Sequence, residues 1–308
     1  MSKIEEQILP TGNRLRDRLT SWWYGLDLDA PSVGMSVDAD ALAAEAAAMR
    51  KLSKEPPMSR LDLLQQVWGT GYMHPGGPDY ILNLVKPFGF NPAMSVLDVT
   101  VGLGGPAKHI AEKFSVYING MEKDQEIAEA GRAAMVKAGM SKRVLISDWD
   151  PATHVMKPRR FDGIYGQHLT LTVRDKERLF KEIKKALKER GHFTFTDFVL
   201  TEGTVAAHPD LQPWFGAEQE LVMPWSVNDY IDCLTAVGLD CRITESQGEI
   251  YVADTTRAWN EYFTHIDVET HLQENLKLAE TEAALANTRV AMIKRGLLDV
   301  YRFYAIVH

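Results

Sequence analysis

The chain has 308 residues, of which 45% are hydrophobic and 25% are charged, and its net charge is −8. This composition is typical of a soluble globular protein of one or two domains and excludes disordered and collagen-like chains. The acidic balance argues against nucleic-acid binding. Two cysteines, Cys233 and Cys241, form no zinc-ligand pattern, so neither a metal site nor a disulfide framework is predicted. With no apolar leader and no run of about 18 apolar residues, we expect a cytoplasmic protein.

Residues 1–68 are predicted to form an N-terminal helical extension. Its segment 14–26 mixes arginine with tryptophan and tyrosine, a composition typical of helices that contact an anionic membrane surface. Acidic residues follow at once, which favours packing on the domain or on the second subunit of a homodimer over membrane contact. Residues 69–93 begin with a Gly/Pro-rich stretch and are predicted to form an active-site segment followed by a short entry helix.

Residues 94–200 alternate between apolar strand candidates and helices. The predicted strands are 96–99, 116–121, 143–147, 161–165 and 192–198, and the predicted helices are 106–114, 125–138 and 176–189. This alternation predicts an α/β fold with a mostly parallel sheet and helices on both faces. Residues 201–308 are predicted to complete the same domain with a lid-like insertion, a helix at 226–237, a strand at 239–244, a long helix at 268–293 and a closing strand.

The most informative segment is VLDVTVGLGGPAKHI, residues 96–110, in which a strand leads through closely spaced glycines into a helix. Gly102 and Gly104 allow the backbone to approach a ligand, and the helix offers its N-terminal N–H groups. Glu122 ends the second strand, where a carboxylate can accept hydrogen bonds from both hydroxyls of a ribose. Asp148 and Trp149 end the third strand and suit the amino group and the ring of adenine. We therefore expect a nucleoside-like ligand at this edge of the sheet.

Asp98 separates two interpretations of the glycine turn. The turn also satisfies the G-x-G-x-x-A dinucleotide fingerprint, so a nicotinamide or flavin oxidoreductase is an alternative. A carboxylate at Asp98 would repel a pyrophosphate, whereas it suits the cationic amino-acid end of S-adenosylmethionine. The sequence therefore favours S-adenosylmethionine as the cofactor, with Lys123 and Gln167 as further predicted contacts.

Residues 94–200 resemble the class I S-adenosylmethionine-dependent methyltransferases. The resemblance rests on VLDVTVGLGG, on Glu122, on ISDWD, on the segment from FDGIYGQHLT to KKAL, and on LKERGHFTFTDF. It implies a Rossmann-like sheet of seven strands and methyl transfer to a small-molecule acceptor. Thr100 stands where this family usually has the first glycine of D-x-G-x-G-x-G. A residue other than glycine is tolerated there if its backbone does not adopt positive φ.

The upstream segment VWGTGYMHPGG, residues 67–77, is similar to one that precedes the core in phosphoethanolamine N-methyltransferases. This similarity implies that Tyr72 is an active-site tyrosine. Those enzymes often carry a histidine in an L-H-x-x-D pattern after the fourth strand, whereas this chain has Thr172 there. His168 or His74 could replace that histidine as general base, or each could be a structural histidine. Tyr72 and His168 are the predicted catalytic residues, and His74 and Thr172 are predicted pocket residues.

Three further side chains are predicted to line the acceptor pocket: Trp214 and Trp225 from the insertion, and Arg302 from the last strand. Aromatic rings would suit an aromatic or methylated-ammonium acceptor, although they could equally pack a lid onto the core. Amines, hydroxyls and activated carbons all stay open as the methylated atom. A further alternative is a non-catalytic protein of this fold that binds the cofactor as a regulatory or assembly subunit.

Overall fold

A computed structural model describes residues 57–266 and 273–307 of the chain. Its centre is an eight-stranded sheet in the order β3-β2-β1-β4-β5-β8-β7, with the two-residue strand β6 paired to β5. Strands β1 to β5 run parallel, and β8 lies antiparallel between β5 and β7. The predicted α/β fold with a mostly parallel sheet is confirmed.

The strands are β1 (Ser95–Asp98), β2 (Tyr117–Glu122), β3 (Val144–Asp148), β4 (Phe161–Gly166), β5 (Leu187–Leu200), β6 (Trp225–Ser226), β7 (Leu239–Ser246) and β8 (Leu298–Val307). The helices are α1 (Arg60–Trp68), α2 (Gly77–Val85), α3 (Gly105–Phe114), α4 (Gln125–Lys137), α5 (Lys176–Ala186), α6 (Gln212–Ala217), α7 (Val227–Ala236), α8 (Gly248–His265) and α9 (Gln273–Lys294). Two short 3₁₀ turns, Lys86–Phe88 and Pro209–Leu211, lie between these elements.

Apolar side chains cover both faces of the sheet, as parallel strands require. One cluster contains Phe180, Phe195 and Phe303, and the other contains Val96 and Ile118. Because each of the first four parallel strands is followed by a crossover, their carboxyl ends all lie at one edge of the sheet. Open α/β sheets bind ligands at that edge.

Helices α1, α8 and α9, called the helical cover below, pack together through an apolar cluster of their own. Ser59 starts α1 with a capping box in which its hydroxyl accepts a hydrogen bond from the Asp62 N–H. Leu63 of α1 then packs with Trp259 of α8 and Ala283 of α9. This cluster joins three segments that are far apart in sequence into one layer.

Some predicted elements differ from the structure. The helix predicted at 176–189 ends at Ala186, and residues 187–191 already belong to β5. Helix α8 was not predicted, although its buried residues Tyr251, Thr255, Trp259 and Tyr262 recur at helical spacing. The predicted basic-aromatic helix at 14–26 lies outside the described residues, as do most of the N-terminal extension and the start of the predicted helix at 268–293.

Candidate active site

The glycine turn after β1 exposes backbone to a cavity. Gly102 and Gly104 have φ of 52° and 86°, values that glycine adopts at no steric cost. Thr100 is absent from the residues with positive φ, so it needs no glycine. Its hydroxyl accepts a hydrogen bond of 2.8 Å from the Gln167 N–H, which ties the end of β1 to the end of β4. Thr100, which stands in place of the family's usual glycine, therefore makes a structural hydrogen bond in this chain.

The Gly/Pro-rich segment before β1 is docked on this turn through backbone. The Gly105 N–H donates a hydrogen bond of 3.0 Å to the carbonyl oxygen of Gly71. A Cβ built on Gly105 would lie 2.5 Å from that oxygen, so only glycine permits this approach. Tyr72, His74 and their neighbours are thus fixed beside the glycine turn.

Glu122 is buried at the end of β2 and holds two backbone groups. Its carboxylate accepts hydrogen bonds of 3.0 Å from the Gly102 and Asp124 N–H groups. Burial raises the pKa of Glu122, and these N–H donors oppose that rise. The arrangement fixes a carboxylate against the glycine turn with lone pairs left for a ligand.

The other two predicted acids lie off the cavity. Asp98 is 2% exposed, its carboxylate accepts a bond of 3.0 Å from the Thr100 N–H, and burial raises its pKa to about 7. Asp148 is exposed and pairs with Arg132 at 3.5 Å. Neither is among the residues that line the cavity. Of the three carboxylates predicted to surround one ligand, Glu122 alone lines the cavity in the described part of the chain.

The cavity at the carboxyl ends of the strands has a volume of about 280 Å³. At the end beside the glycine turn, called the cofactor end below, it is lined by predicted cofactor residues: Gly102, Glu122, Lys123, Trp149 and Gln167. Gly104 is not on the lining, because its Cα faces Met135 and Ile146, which an added Cβ would meet at 3.0 and 3.2 Å.

Two histidines meet where residues 72–74 and the loop after β4 approach Arg60 and Arg289, and this part of the cavity is called the acceptor end below. The rings of His74 and His168 lie edge to face with centroids 5.0 Å apart, and His168 stacks on Phe198 at 4.9 Å. Burial, followed by the charges of Arg289 and Arg60, lowers the pKa of His74 to about 4. Burial and the neighbouring His74 also hold the pKa of His168 well below its ordinary value. Both rings are therefore neutral at pH 7.

His168 combines two features of a functional residue. Its φ is 49°, which is uncommon outside glycine, and Nδ1 is buried without a hydrogen-bond partner among the described residues. The hydroxyl of Tyr72 likewise has no described partner, and burial raises its pKa to about 12. Both residues line the cavity, as does Thr172, whose hydroxyl accepts a bond of 3.1 Å from Lys123 Nζ.

Two ion pairs complete the acceptor end, and sequence analysis missed both. Arg60 of α1 donates two hydrogen bonds, of 2.5 and 3.0 Å, to Glu282 of α9. Arg289 of α9 donates two, of 2.7 and 2.6 Å, to Glu218, the residue that follows α6. The partners are 222 and 71 positions apart in the chain, a separation that leaves no local sequence signal.

Three predicted pocket residues do not line the cavity. Trp214 is fully buried against Phe198, and its Nε1 donates to Glu218 at 2.5 Å. Trp225 packs on the core and has Lys176 Nζ 5.4 Å from its ring centroid. Arg302 donates to the Leu84 carbonyl at 3.1 Å. Trp214 and Trp225 pack the insertion onto the core, and Arg302 joins β8 to α2, so the structure does not bring these three side chains to the cavity.

Residues 97–195 match the family described as the methyltransferase domain. The resemblance to class I S-adenosylmethionine-dependent methyltransferases is confirmed. Phosphoethanolamine N-methyltransferase 2 of Caenorhabditis elegans is 30% identical over 137 residues, which are 44% of this chain and 31% of that protein. The chain thus aligns with less than a third of the length of this relative.

Two solved structures share the fold of this chain over both its methyltransferase domain and the elements around that domain. Phosphoethanolamine N-methyltransferase 2 of Haemonchus contortus, in complex with phosphomonomethylethanolamine and S-adenosylhomocysteine, superposes with a TM-score of 0.68 at 17% identity, covering 80% of this chain and 56% of that one. Geranyl diphosphate C-methyltransferase of Streptomyces coelicolor gives 0.62 at 14% identity, covering 88% and 100%. At these identities the likeness shows the fold alone.

The cofactor end fits S-adenosylmethionine by its own chemistry. The buried Glu122 carboxylate can accept hydrogen bonds from vicinal hydroxyls, and the Trp149 indole, 9% exposed, offers a flat surface to an aromatic ring. No described helix is long and apolar enough to cross a membrane. Both cysteines are free.

Proposed function

We propose that the protein transfers the methyl group of S-adenosylmethionine to a small-molecule acceptor. The observation that supports this most is a cavity lined both by Glu122, Trp149 and the Gly102 turn and by two histidines whose pKa values are lowered by burial. The sulfonium supplies an activated methyl group, so the protein's main tasks are to align the acceptor and exclude water.

At the cofactor end, Glu122 is proposed to bind the ribose hydroxyls, and Trp149 and Leu103 to hold the adenine ring between apolar surfaces. Lys123 and Gln167 line the same end and complete the proposed set. Asp98 is proposed to fix the turn through the Thr100 N–H, because its carboxylate is withdrawn from the described lining.

At the acceptor end, His168 is proposed to accept the proton that a neutral nucleophile loses on methylation. Its Nδ1 has no partner among the described groups and can accept a hydrogen bond from the nucleophile; because burial lowers the pKa of His168, the ring would pass the proton on and not retain it. His74 packs against it edge to face and orients the ring. Tyr72, with an unpartnered hydroxyl on the same cavity, is proposed to position the acceptor.

Two acidic residues at neighbouring strand ends test the cofactor assignment. Glu122→Ala should weaken S-adenosylhomocysteine binding by at least tenfold in isothermal titration calorimetry, because a charged hydrogen-bond acceptor is lost. Asp148→Asn is the matched control, since its carboxylate is exposed and paired with Arg132, and should change the Kd by less than twofold. Equal Kd values for Glu122→Ala and the wild type would refute the ribose role.

Catalysis is tested separately by incubating the protein with methyl-labelled S-adenosylmethionine and a small-molecule cell extract. Label should enter an extractable small molecule, and Glu122→Ala should abolish most of that transfer. Tight cofactor binding without any labelled product would instead support a binding protein. The cytoplasmic location and the homodimer stay predictions.

A further inference from the structure

Three cations of the cavity are already neutralised by carboxylates of the protein: Arg60 and Arg289 at the acceptor end, and Lys123 at the cofactor end beside Thr172. Arg60 faces Glu282, Arg289 faces Glu218, and Lys123 Nζ lies 2.6 Å from Glu220. The side chains of Glu282 and Glu218 are 5% and 7% exposed, whereas those of Arg60 and Arg289 are 39% and 21% exposed, so the carboxylates are the buried partners. All six residues line the cavity.

The two arginine pairs are bidentate. Each guanidinium donates through Nε and Nη2 to both oxygens of one carboxylate, which is the fork geometry that arginine otherwise offers to a phosphate. Further donors hold the carboxylates in place: Gln219 Nε2 lies 3.3 Å from Glu282, and Trp214 Nε1 lies 2.5 Å from Glu218. The Nε–Nη2 edge of each arginine is therefore occupied, and its charge is balanced by a carboxylate of the protein.

The charge balance of the cavity leads to the same result. The described lining holds three cations, Arg60, Lys123 and Arg289, and a fourth carboxylate, Glu122, beyond the three already paired. With the histidines neutral, the lining carries one net negative charge, which the net positive charge of S-adenosylmethionine offsets. A phosphate monoester would add about −1.5 to −2 charges that no described group compensates.

Apolar side chains also line the acceptor end. On α9, Leu285 and Ala286 lie between Glu282 and Arg289, on the face that i, i+3, i+4 and i+7 positions share. Trp68 of α1 lies edge to face with Trp259 of α8, with centroids 6.2 Å apart, and both line the cavity. These surfaces suit the hydrocarbon body of an acceptor.

We propose, on the basis of the proposed methyltransferase function, that the acceptor end takes an uncharged or singly cationic molecule with an apolar body and excludes acceptors that carry a phosphate. Glu218, Glu220 and Glu282 are then specificity-determining residues, because they occupy the cations that would otherwise bind the anion. The acceptor chemistry thus differs from that of the phosphoethanolamine N-methyltransferases to which this chain is similar.

The test uses the full chain loaded with S-adenosylhomocysteine. The two probes, tyramine and O-phosphotyramine, share one hydrocarbon skeleton and differ only in the phosphate. Isothermal titration calorimetry at low salt should give an affinity for tyramine at least tenfold higher than that for O-phosphotyramine. Equal or tighter binding of the phosphorylated probe to the wild type overturns the proposal. Failure of S-adenosylhomocysteine to bind in the loading step refutes the proposed function instead, so the two failures are distinguishable.

Binding measurements on variants test the proposal even if the wild-type protein binds neither probe. Glu282→Gln releases the Arg60 fork and should raise the affinity for O-phosphotyramine at least tenfold. Glu189→Gln makes the same charge change at an exposed pair, with Arg159 at 3.5 Å, and should leave that affinity unchanged. No gain in Glu282→Gln, or an equal gain in Glu189→Gln, overturns the proposal. If Glu282→Gln does not fold, Glu220→Gln, which releases Lys123 at an exposed pair, is measured by the same criteria.

Discussion

The two ends of the cavity are built by different kinds of contact. At the cofactor end, consecutive strand ends contribute backbone groups and one carboxylate, and all of them come from residues 98–167. At the acceptor end, α1, α9 and the residue after α6 contribute charged side chains that meet across as many as 222 positions. One end is fixed by the sheet, and the other by pairs of side chains.

The two ends therefore differ in how freely their side chains can be replaced. The cofactor end depends on a strand–turn–helix geometry in which few side chains can change without loss of the turn. The acceptor end depends on the helical cover, whose lining side chains can be exchanged while the sheet is preserved. We infer that the cofactor is set by the sheet and the acceptor by the cover, and the following predictions test each part.

The largest effect on stability is expected at the acceptor end, in Glu218→Ala. This change leaves Arg289 and Trp214 Nε1 without their carboxylate in a largely buried site. We expect a loss of about 3 kcal/mol in the free energy of unfolding, measured by urea denaturation. Asp210→Asn, at the exposed pair with Arg295, is the control and should cost less than about 1 kcal/mol. Equal losses of unfolding free energy in both variants would show that burial does not strengthen the Arg289–Glu218 pair.

The next effect is expected at the cofactor end, in Gly105→Ala. The added Cβ would meet the Gly71 carbonyl, so the segment that carries Tyr72 must move away from the glycine turn. We expect a loss of about 1–3 kcal/mol in stability and weaker S-adenosylhomocysteine binding in calorimetry. Gly216→Ala is the control, because no atom lies within 4 Å of its added Cβ, and it should leave both quantities nearly unchanged. Wild-type behaviour of Gly105→Ala would mean that this backbone contact does not shape the cofactor end.

The cofactor end could be predicted from the sequence because its signals are local. The glycine turn and Glu122 lie within 25 residues, and the alternation of strands and helices predicts that strand ends converge. The side-chain directions could not be predicted: Asp148 ends the same kind of strand as Glu122, yet its carboxylate turns to Arg132. Sequence position locates a strand end, whereas neighbouring side chains decide where its carboxylate points.

The acceptor end could not be predicted because its parts meet only after folding. Arg60 and Glu282 carry no mutual pattern in the sequence, and Trp214 looked like a pocket residue because an aromatic ring suits a pocket and a core equally well. Periodicity was the usable signal for the cover: it predicted the helix at 268–293, and the spacing of Tyr251, Thr255, Trp259 and Tyr262 also indicates α8. It predicts a helix but not the face that meets α1.

The histidine pair should make stability depend on pH. In the folded protein the pKa of His74 is about 4, against an ordinary value of 6.5, so between these values the unfolded chain binds a proton that the folded chain does not. This contribution to stability is lost as the pH falls from about 6.5 to about 4. Asp98, with its pKa raised to about 7, acts in the opposite direction, so the comparison must be made between variants.

We expect His74→Gln to reduce the loss of stability on acidification, measured as the difference from wild type in urea denaturation at pH 7 and pH 5. His265→Gln is the control, because that side chain is exposed at the end of α8, and it should follow the wild-type profile. If the profile of His74→Gln is parallel to that of the wild type, His74 is not held neutral in the folded protein.

The smallest effect is expected from restoring the family's glycine with Thr100→Gly. Because Thr100 does not adopt positive φ, glycine relieves no strain there, whereas the bond from the Gln167 N–H to the hydroxyl is lost. We expect a stability loss of about 1 kcal/mol and no gain in S-adenosylhomocysteine affinity, while Thr100→Ser, which keeps the hydroxyl, should retain most of the stability. Tighter cofactor binding in Thr100→Gly would mean that the threonine strains the turn. The sheet would then fix the cofactor end less completely than the side-chain pairs fix the acceptor end.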